Sequence, residues 1–371
     1  MKRTMSLLLV ALSAVGTYAA LQSAPDQNLG LRVLGLFGGI CAAVSLTQLL
    51  LGAVGRWGGL RALSYSLGLG ARLFDVPLGR RRLVVRTRPY PLLYGIHLRV
   101  PAPRGRVWAV VAAAYAVPVL LGGWLLAAGP DGWRLFGTAL TGAPVLELLA
   151  SAAVPGGAGW IVLRLPTAPE ELLAALCQTP VEAEAKLALE NGRIDEAAAL
   201  LDGAGEPSGP AGAALRIHLL LARGHWQQAL ADTERLPWAP PPGTEWVRAL
   251  LRGQVLVCAA DAGLLSPAEY LPRLTAELDA VGPRQHAVLL RADLLRLRGE
   301  REAALKASAV GVRMMGDALV SADALCSRAA ALLALGRTAE ADRELAKARK
   351  LLPGLARIAL VERRAAAVVL D

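Results

Sequence analysis

Residues 31–54, LRVLGLFGGICAAVSLTQLLLGAV, form an apolar stretch whose one charged residue, Arg32, lies near its beginning. At about 1.5 Å per residue, a helix of this length crosses the hydrocarbon layer of a membrane, which is about 30 Å thick. The stretch therefore predicts a membrane span. The composition agrees with this interpretation, because 54% of the 371 residues are hydrophobic and the mean hydropathy is +0.43.

Other apolar stretches lie on both sides of this one. Residues 6–21 follow two basic residues and are short for a span, so they predict either a first span or a signal-like segment. Residues 107–128 predict another span. Residues 133–165 predict a last one, which prolines and glycines interrupt.

The formal net charge is +10, and arginines are densest in the loop between residues 56 and 106. By the positive-inside rule, this loop is predicted to be cytoplasmic, and so is the half of the chain that follows the last span. We therefore expect a multi-pass protein of the cytoplasmic (inner) membrane. The sequence shows no aromatic-interleaved basic face of the kind that nucleic-acid binders use, so we expect no nucleic-acid partner.

Two runs in the basic loop, residues 82–88 and 96–100, alternate polar and apolar side chains, and the proline-containing segment 90–94 separates them. This pattern predicts a short β-hairpin with one apolar face, lying on the membrane surface. A solvated loop is the alternative. Five arginines are predicted to contact lipid headgroups: Arg80, Arg81, Arg82, Arg86 and Arg88.

The spans are punctuated in a particular order. A Gly-Leu pair at 59–60 and a Ser-Leu-Gly-Leu-Gly segment at 66–70 follow the first long span, Pro118 lies in the next, and a Pro-Gly-Gly run at 155–157 lies in the last. This order resembles that of the site-2 proteases, which are intramembrane zinc metalloproteases. In that family an HExxH motif ends the first core span, and an aspartate in the last one supplies a third zinc ligand.

The resemblance, which covers residues 31–165, implies that the zinc-ligand and general-base positions fall on Thr47, Gln48, Leu51 and Ala158. Catalytic zinc is held by His, Glu, Asp or Cys and needs a base for its water, and none of these four side chains provides either. The resemblance therefore implies a catalytically inactive relative without a cofactor. Glu147 is an ionisable residue inside a predicted span, which leaves open a functional role or a paired structural one.

From residue 181 the chain is rich in Ala, Leu, Glu and Arg with helical periodicity. A glycine followed five residues later by an alanine recurs in four places: Gly192 and Ala197, Gly224 and Ala229, Gly299 and Ala304, and Gly336 and Ala341. An eroded unit is expected near Gly263. The last unit continues with Leu345, Ala348 and Pro353, and it resembles the second helix of a tetratricopeptide repeat. The pattern predicts a tetratricopeptide-like array, with an irregular helical bundle as the alternative.

Together these patterns predict a mostly α protein. A multi-span helical membrane domain with a short membrane-surface β-hairpin is followed by a tetratricopeptide-like α-solenoid. The predicted boundaries are 1–30 for the N-terminal span or signal-like segment, 31–165 for the membrane domain, 166–180 for a linker, and 181–371 for the repeats.

The expected function is that of an adaptor or regulatory scaffold rather than an enzyme. Its expected partners are membrane lipids, a cytoplasmic protein or peptide bound by the repeats, and, as a further candidate, a transmembrane helix of another protein. Two alternatives remain open at this point: an active or atypical intramembrane metalloprotease, and a component of a membrane transport complex. The high use of Ala, Gly and Arg is typical of a bacterial protein from a GC-rich genome.

Overall fold

The computed structural model describes residues 29–79, 81–235, 245–284, 287–313 and 318–370. The described residues are mostly helical and contain one two-stranded sheet. The chain divides into two compact units; apart from six residues of the hairpin, 70–72 and 79–81, which group with the second unit, the first ends at Leu173 and the second begins at Ala174. Nearly all of the predicted N-terminal segment, 1–30, lies outside the described residues, and so does Arg80.

The first unit contains three long apolar helices and the hairpin. Its elements are α1 (Leu29–Val54), β1 (Leu60–Leu78), β2 (Arg81–Arg99), α2 (Arg104–Ala128), α3 (Arg134–Ser151), α4 (Ala158–Arg164) and, across the boundary, α5 (Glu170–Leu176). By length and composition α1 and α2 are candidates to cross a membrane. The third predicted span is divided into α3 and α4, because the proline and glycines between them end one helix and start another.

Helices α1, α2 and α3 pack against one another through glycines. A β-carbon on Gly39 of α1 would lie 2.5 Å from the Phe136 carbonyl oxygen of α3. A β-carbon on Gly122 of α2 would lie 2.3 Å from Thr141 Oγ1 and 2.7 Å from the Gly137 carbonyl oxygen. Small residues at such contacts let backbones approach closely, as they do between helices in membranes.

A hairpin is present, but its strands are not those predicted. The runs 82–88 and 96–100 lie almost wholly on one strand, β2, and the segment 90–94, predicted to connect them, is part of the same strand. The partner strand is β1, whose alternation is hidden in the sequence by Gly68 and Gly70. Their φ angles of 85° and 91° mark local distortions of the strand, which only glycine adopts without strain.

The second unit consists of antiparallel helix pairs followed by a last helix. The pairs are α6 (Pro180–Glu190) with α7 (Ile194–Gly203), α8 (Pro210–Arg223) with α9 (Trp226–Arg235), α10 (Glu245–Asp261) with α11 (Pro267–Val281), α12 (Ala287–Leu297) with α13 (Arg301–Val312), and α14 (Ala318–Ala334) with α15 (Thr338–Leu351). The last helix is α16 (Ala356–Leu370).

Each pair turns at a glycine in the left-handed region, with φ between 72° and 83°: Gly192, Gly224, Gly263, Gly299 and Gly336. A side chain at such a position would strain the turn, which explains why glycine recurs there. The four alanines of the repeat are buried: Ala197, Ala229, Ala304 and Ala341. Leu345 and Ala348 of the last unit are buried as well, and Pro353 follows the end of α15.

The first helices of the pairs form a closed ring. Contacts run from α6 to α8, from α8 to α10, from α10 to α12 and from α12 to α14, and α14 returns to contact α6. Helix α16 contacts α8, α10 and α14, so it lies against the inner face that these first helices share.

Candidate functional site

The positions that the resemblance assigns to a protease centre are buried near the end of α1. The exposed fractions of Thr47, Gln48 and Leu51 are 1%, 4% and 8%. Gln48 Oε1 accepts a hydrogen bond from the Gly95 backbone N–H of β2 at 3.2 Å. The glutamine at the general-base position therefore binds main chain.

Ser45, one turn earlier on α1, binds the same strand. Its hydroxyl donates to the Pro91 carbonyl oxygen at 3.0 Å and accepts from the Leu93 N–H at 2.9 Å. Alternate residues of a strand direct their backbone groups to one side, so residues 91, 93 and 95 share one edge of β2. Helix α1 thus covers one edge of the hairpin. Its two polar side chains form hydrogen bonds with backbone N–H and C=O groups of β2 that could otherwise pair with another strand.

Two aromatic residues that the sequence analysis did not select surround Gln48. A β-carbon on Gly95 would lie 2.6 Å from His97 Cε1 and 3.0 Å from Gln48 Oε1. The Tyr65 ring meets the His97 ring edge-on, with centroids 6.2 Å apart. His97 was missed because it belongs to the hairpin rather than to a span, and only the tertiary contact of β2 with α1 brings it beside Gln48.

Ala158, the position implied for a third ligand, begins α4. Ser151 Oγ at the end of α3 accepts from the Gly159 N–H at 2.8 Å, and the Arg99 guanidinium donates to the Gly156 carbonyl oxygen. These bonds fasten the turn that leads into α4. Within the described part of the chain, no three His, Cys, Asp or Glu side chains are close enough together to hold a metal ion.

Glu147 on α3 has a partner. The Tyr115 hydroxyl of α2 donates to Glu147 Oε1 at 2.7 Å, and Tyr115 itself is only 2% exposed. A hydrogen bond of this kind satisfies a carboxyl group that would be costly to leave alone in an apolar layer. Of the two roles that the sequence left open for Glu147, this hydrogen bond favours the paired structural one.

The arginines assigned to lipid headgroups differ in their surroundings. Arg88 is exposed, Arg81 is half-buried, and Arg82 pairs with Asp75 at 3.4 Å. Arg86 is only 2% exposed and donates to Ser66 Oγ at 3.4 Å. Headgroup contact is wrong for Arg86, because the strand directs its guanidinium into the hairpin unit rather than outward.

The inner face of the ring carries a buried ionic network that sequence analysis did not find. Arg296 of α12 donates to both carboxylate oxygens of Asp261 of α10 at 2.9 Å, and its Nη2 lies 3.2 Å from Asp293 Oδ1. Arg357 of α16 lies 3.0 Å from Asp293 Oδ2 through Nη2, and its Nη1 donates to Asp323 of α14. Four helices therefore meet in one cluster.

Burial and charge act against each other in this cluster. Burial would raise the pKa of Asp293, but Arg357 and Arg296 outweigh it and hold that pKa below its ordinary value. For Asp323, burial prevails over Arg357 and the pKa lies above its ordinary value. With both arginines charged and all three aspartates ionised, the cluster carries a net charge of −1, and the two arginines offset the repulsion among the buried carboxylates.

Two small cavities adjoin the cluster. One, of about 60 Å³, is lined by Gln254, Asp293, Asp323 and Arg357 together with apolar side chains of α10, α12 and α14. The other, of about 30 Å³, shares Gln254, Asp323 and Arg357 and extends toward Trp226. Both are too small to hold another helix beside α16.

The network could not be read from the sequence, because its members are spread between residues 261 and 357 on four different helices. The only local signal is a charged residue on the apolar face of a helix, as at Asp293, and one helix alone does not reveal the partner. No family model, curated protein or solved structure matches the chain. The chain's own contacts therefore carry the functional inference.

Proposed function

We propose that this chain is a membrane-anchored adaptor. Its first unit, a catalytically inactive and site-2 protease-like membrane domain, holds it in the cytoplasmic membrane. Its second unit, a tetratricopeptide-like array, recruits a cytoplasmic protein. The observation that carries the proposal is the contact of Gln48 with the Gly95 N–H, because the residue at the general-base position fastens a helix to a strand.

Aromatic side chains support the membrane arrangement. Trp57 and Trp108 lie at one end of α1 and α2, whereas Trp124 and Trp133 lie at the other, and all four are between 41% and 60% exposed. Tryptophans at both ends of spans are typical of the two membrane–water interfaces. The Arg106 guanidinium lies 5.6 Å from the centroid of the Trp57 ring, which places positive charge at the end that we assign to the cytoplasm.

The hairpin supplies a second contact with lipid in this proposal. Phe74, Val76 and Leu78 occupy alternate positions of β1 beside the hairpin turn and are 51%, 37% and 48% exposed. A long two-stranded hairpin is marginally stable by itself in water, so an apolar surface against this face would stabilise it. Arg81 beside the turn and Arg88 near the middle of β2 would meet anionic headgroups.

Affinity purification from native membranes, followed by mass spectrometry, tests the adaptor proposal. The full chain is compared with a chain that ends at Leu173, where the first unit ends. We expect a cytoplasmic partner that the full chain retains and the shortened chain loses. The shortened chain must still sediment with membranes as the full chain does. A partner retained after shortening would refute recruitment by the repeats, and zinc-dependent cleavage of a membrane substrate by the pure chain would refute inactivity.

A further inference from the structure

The beginning of α16 is buried on nearly all sides. Leu355, Arg357, Ile358, Leu360 and Val361 are each between 1% and 4% exposed. A surface helix normally buries one stripe and leaves the other faces in solvent. Two turns that are enclosed in this way have the surroundings of a helix bound in a groove.

The groove combines the last pair, which precedes α16 directly, with pairs that are remote from it in sequence. Leu360 packs with Trp226 and Cys258 of the second and third pairs. A β-carbon on Gly224, at the turn of the second pair, would lie 2.9 Å from the Ala356 β-carbon. These contacts join α16 to the second and third pairs.

The charge of the groove matches the charge of the helix. Without Arg357, the inner face would hold Asp261, Asp293 and Asp323 against Arg296 alone, a net charge of −2. The flat guanidinium of Arg357 reaches Asp293 and Asp323 on different helices, which a compact ammonium group would not do with the same geometry. Its Nε is also buried and donates to no acceptor in the described structure, so this N–H could donate one more hydrogen bond.

The connection that delivers α16 is short, since α15 ends at Leu351 and α16 begins at Ala356. A short tether gives the helix an effective concentration on the order of mM at the groove. A separate helix with the same pattern could replace it without leaving the carboxylates bare, because the incoming arginine would form the same ion pairs. Displacement by any helix that lacks the arginine would leave uncompensated charge buried.

We propose that the inner face of the ring is a receptor for protein helices that present an arginine among branched apolar residues, and that α16 is the chain's own occupant. This inference rests on the adaptor function, and it names the class of partner that the array recruits. The partner's helix displaces α16 and places its arginine between Asp293 and Asp323. Binding of the partner and release of α16 from the groove then occur together.

The first test lengthens the tether in the full, detergent-solubilised chain. An insertion of about ten glycine and serine residues after Pro353 lowers the effective concentration of α16 and leaves the groove unchanged. The probe is a fluorescent peptide of residues 352–371. Lengthening the four-residue connection to about fourteen residues lowers the effective concentration about six-fold, so we expect the insertion variant to bind the peptide about six-fold more tightly than the wild-type chain does. A peptide with Arg357→Met should bind at least about ten-fold more weakly, while one with Arg363→Met, whose arginine is exposed, should bind like the native peptide.

A second measurement uses the wild-type chain, so its outcome does not depend on whether the insertion variant folds. Hydrogen exchange of the α16 amides is followed while unlabelled peptide is raised to several mM, about the effective concentration of the tethered helix. We expect α16 to exchange faster with the native peptide and to stay protected with the Arg357→Met peptide. The inference is overturned by unchanged exchange in α16 or by equal effects of the two peptides. Both tests use pure components, so they stay independent of partner recovery from cells.

Discussion

Replacing Arg357 by methionine should strongly destabilise the second unit. The side chain is 3% exposed and lies against Asp293 and Asp323, with Asp261 at 4.0 Å. Methionine keeps much of the buried apolar volume but leaves three carboxylates with one arginine. Removing one partner of a buried ion pair typically costs about 3–5 kcal/mol, and we expect a loss in free energy of unfolding of this size.

Urea unfolding of the full chain in detergent, followed by far-ultraviolet circular dichroism, measures this loss. Arg363→Met is the matched control, because Arg363 is exposed on the same helix, and its effect should stay within about 0.5 kcal/mol. Adding Asp323→Asn to Arg357→Met lowers the excess of carboxylates and should recover about 1–3 kcal/mol. The reasoning is refuted if Arg357→Met is as stable as Arg363→Met, or if the double variant is less stable than the Arg357→Met variant.

Three further changes test other parts of the molecule. Gly122→Leu should disrupt the contact of α2 with α3 and lower thermal stability in detergent, whereas Gly123→Leu, where a β-carbon meets nothing within 4 Å, should not; equal effects would contradict the packing. Tyr115→Phe should cost about 1–3 kcal/mol by leaving Glu147 without its donor, and a larger loss when the glutamate is already Gln would argue against the pair. Burial would raise the pKa of Glu182, but hydrogen bonds outweigh it and hold that pKa below its ordinary value of 4.5. The stability it contributes is therefore present above pH 4.5 and lost as the pH falls through the folded pKa, so Glu182→Gln should flatten the acid-unfolding profile; an unchanged profile would count against this.

The features that sequence analysis located well are those encoded within one element. The apolar run 31–54 nearly coincides with α1, because an apolar run of that length with almost no charge is typical of a helix long enough to cross a membrane. Glycines such as Gly192 and Gly336 lie at turns, because a left-handed backbone selects glycine locally. Gly263 lies at such a turn as well, although the alanine five residues after it, Ala268, is exposed rather than buried.

The features that were missed depend on pairing between distant segments. The strand β1 was overlooked because Gly68 and Gly70 interrupt its alternation, and the position of Arg86 could not be known without its neighbour Ser66. The charged residues of the ionic cluster around Arg357 come together only when the helices that carry them have packed into the ring. A charged residue on a helix is expected to be exposed to solvent, and only the tertiary structure shows that these charged residues are buried.

The contact between the first and last pairs limits how the number of helix pairs can change in evolution. Glu190 of α6 accepts a hydrogen bond from the Leu319 N–H of α14 at 3.2 Å, so the seam that joins the two ends is specific. Open arrays gain or lose repeats at little cost, since each repeat touches only its neighbours. Duplication or loss of one pair here would separate the two sides of the seam, and natural variants of this chain should therefore keep five pairs while their loops vary in length.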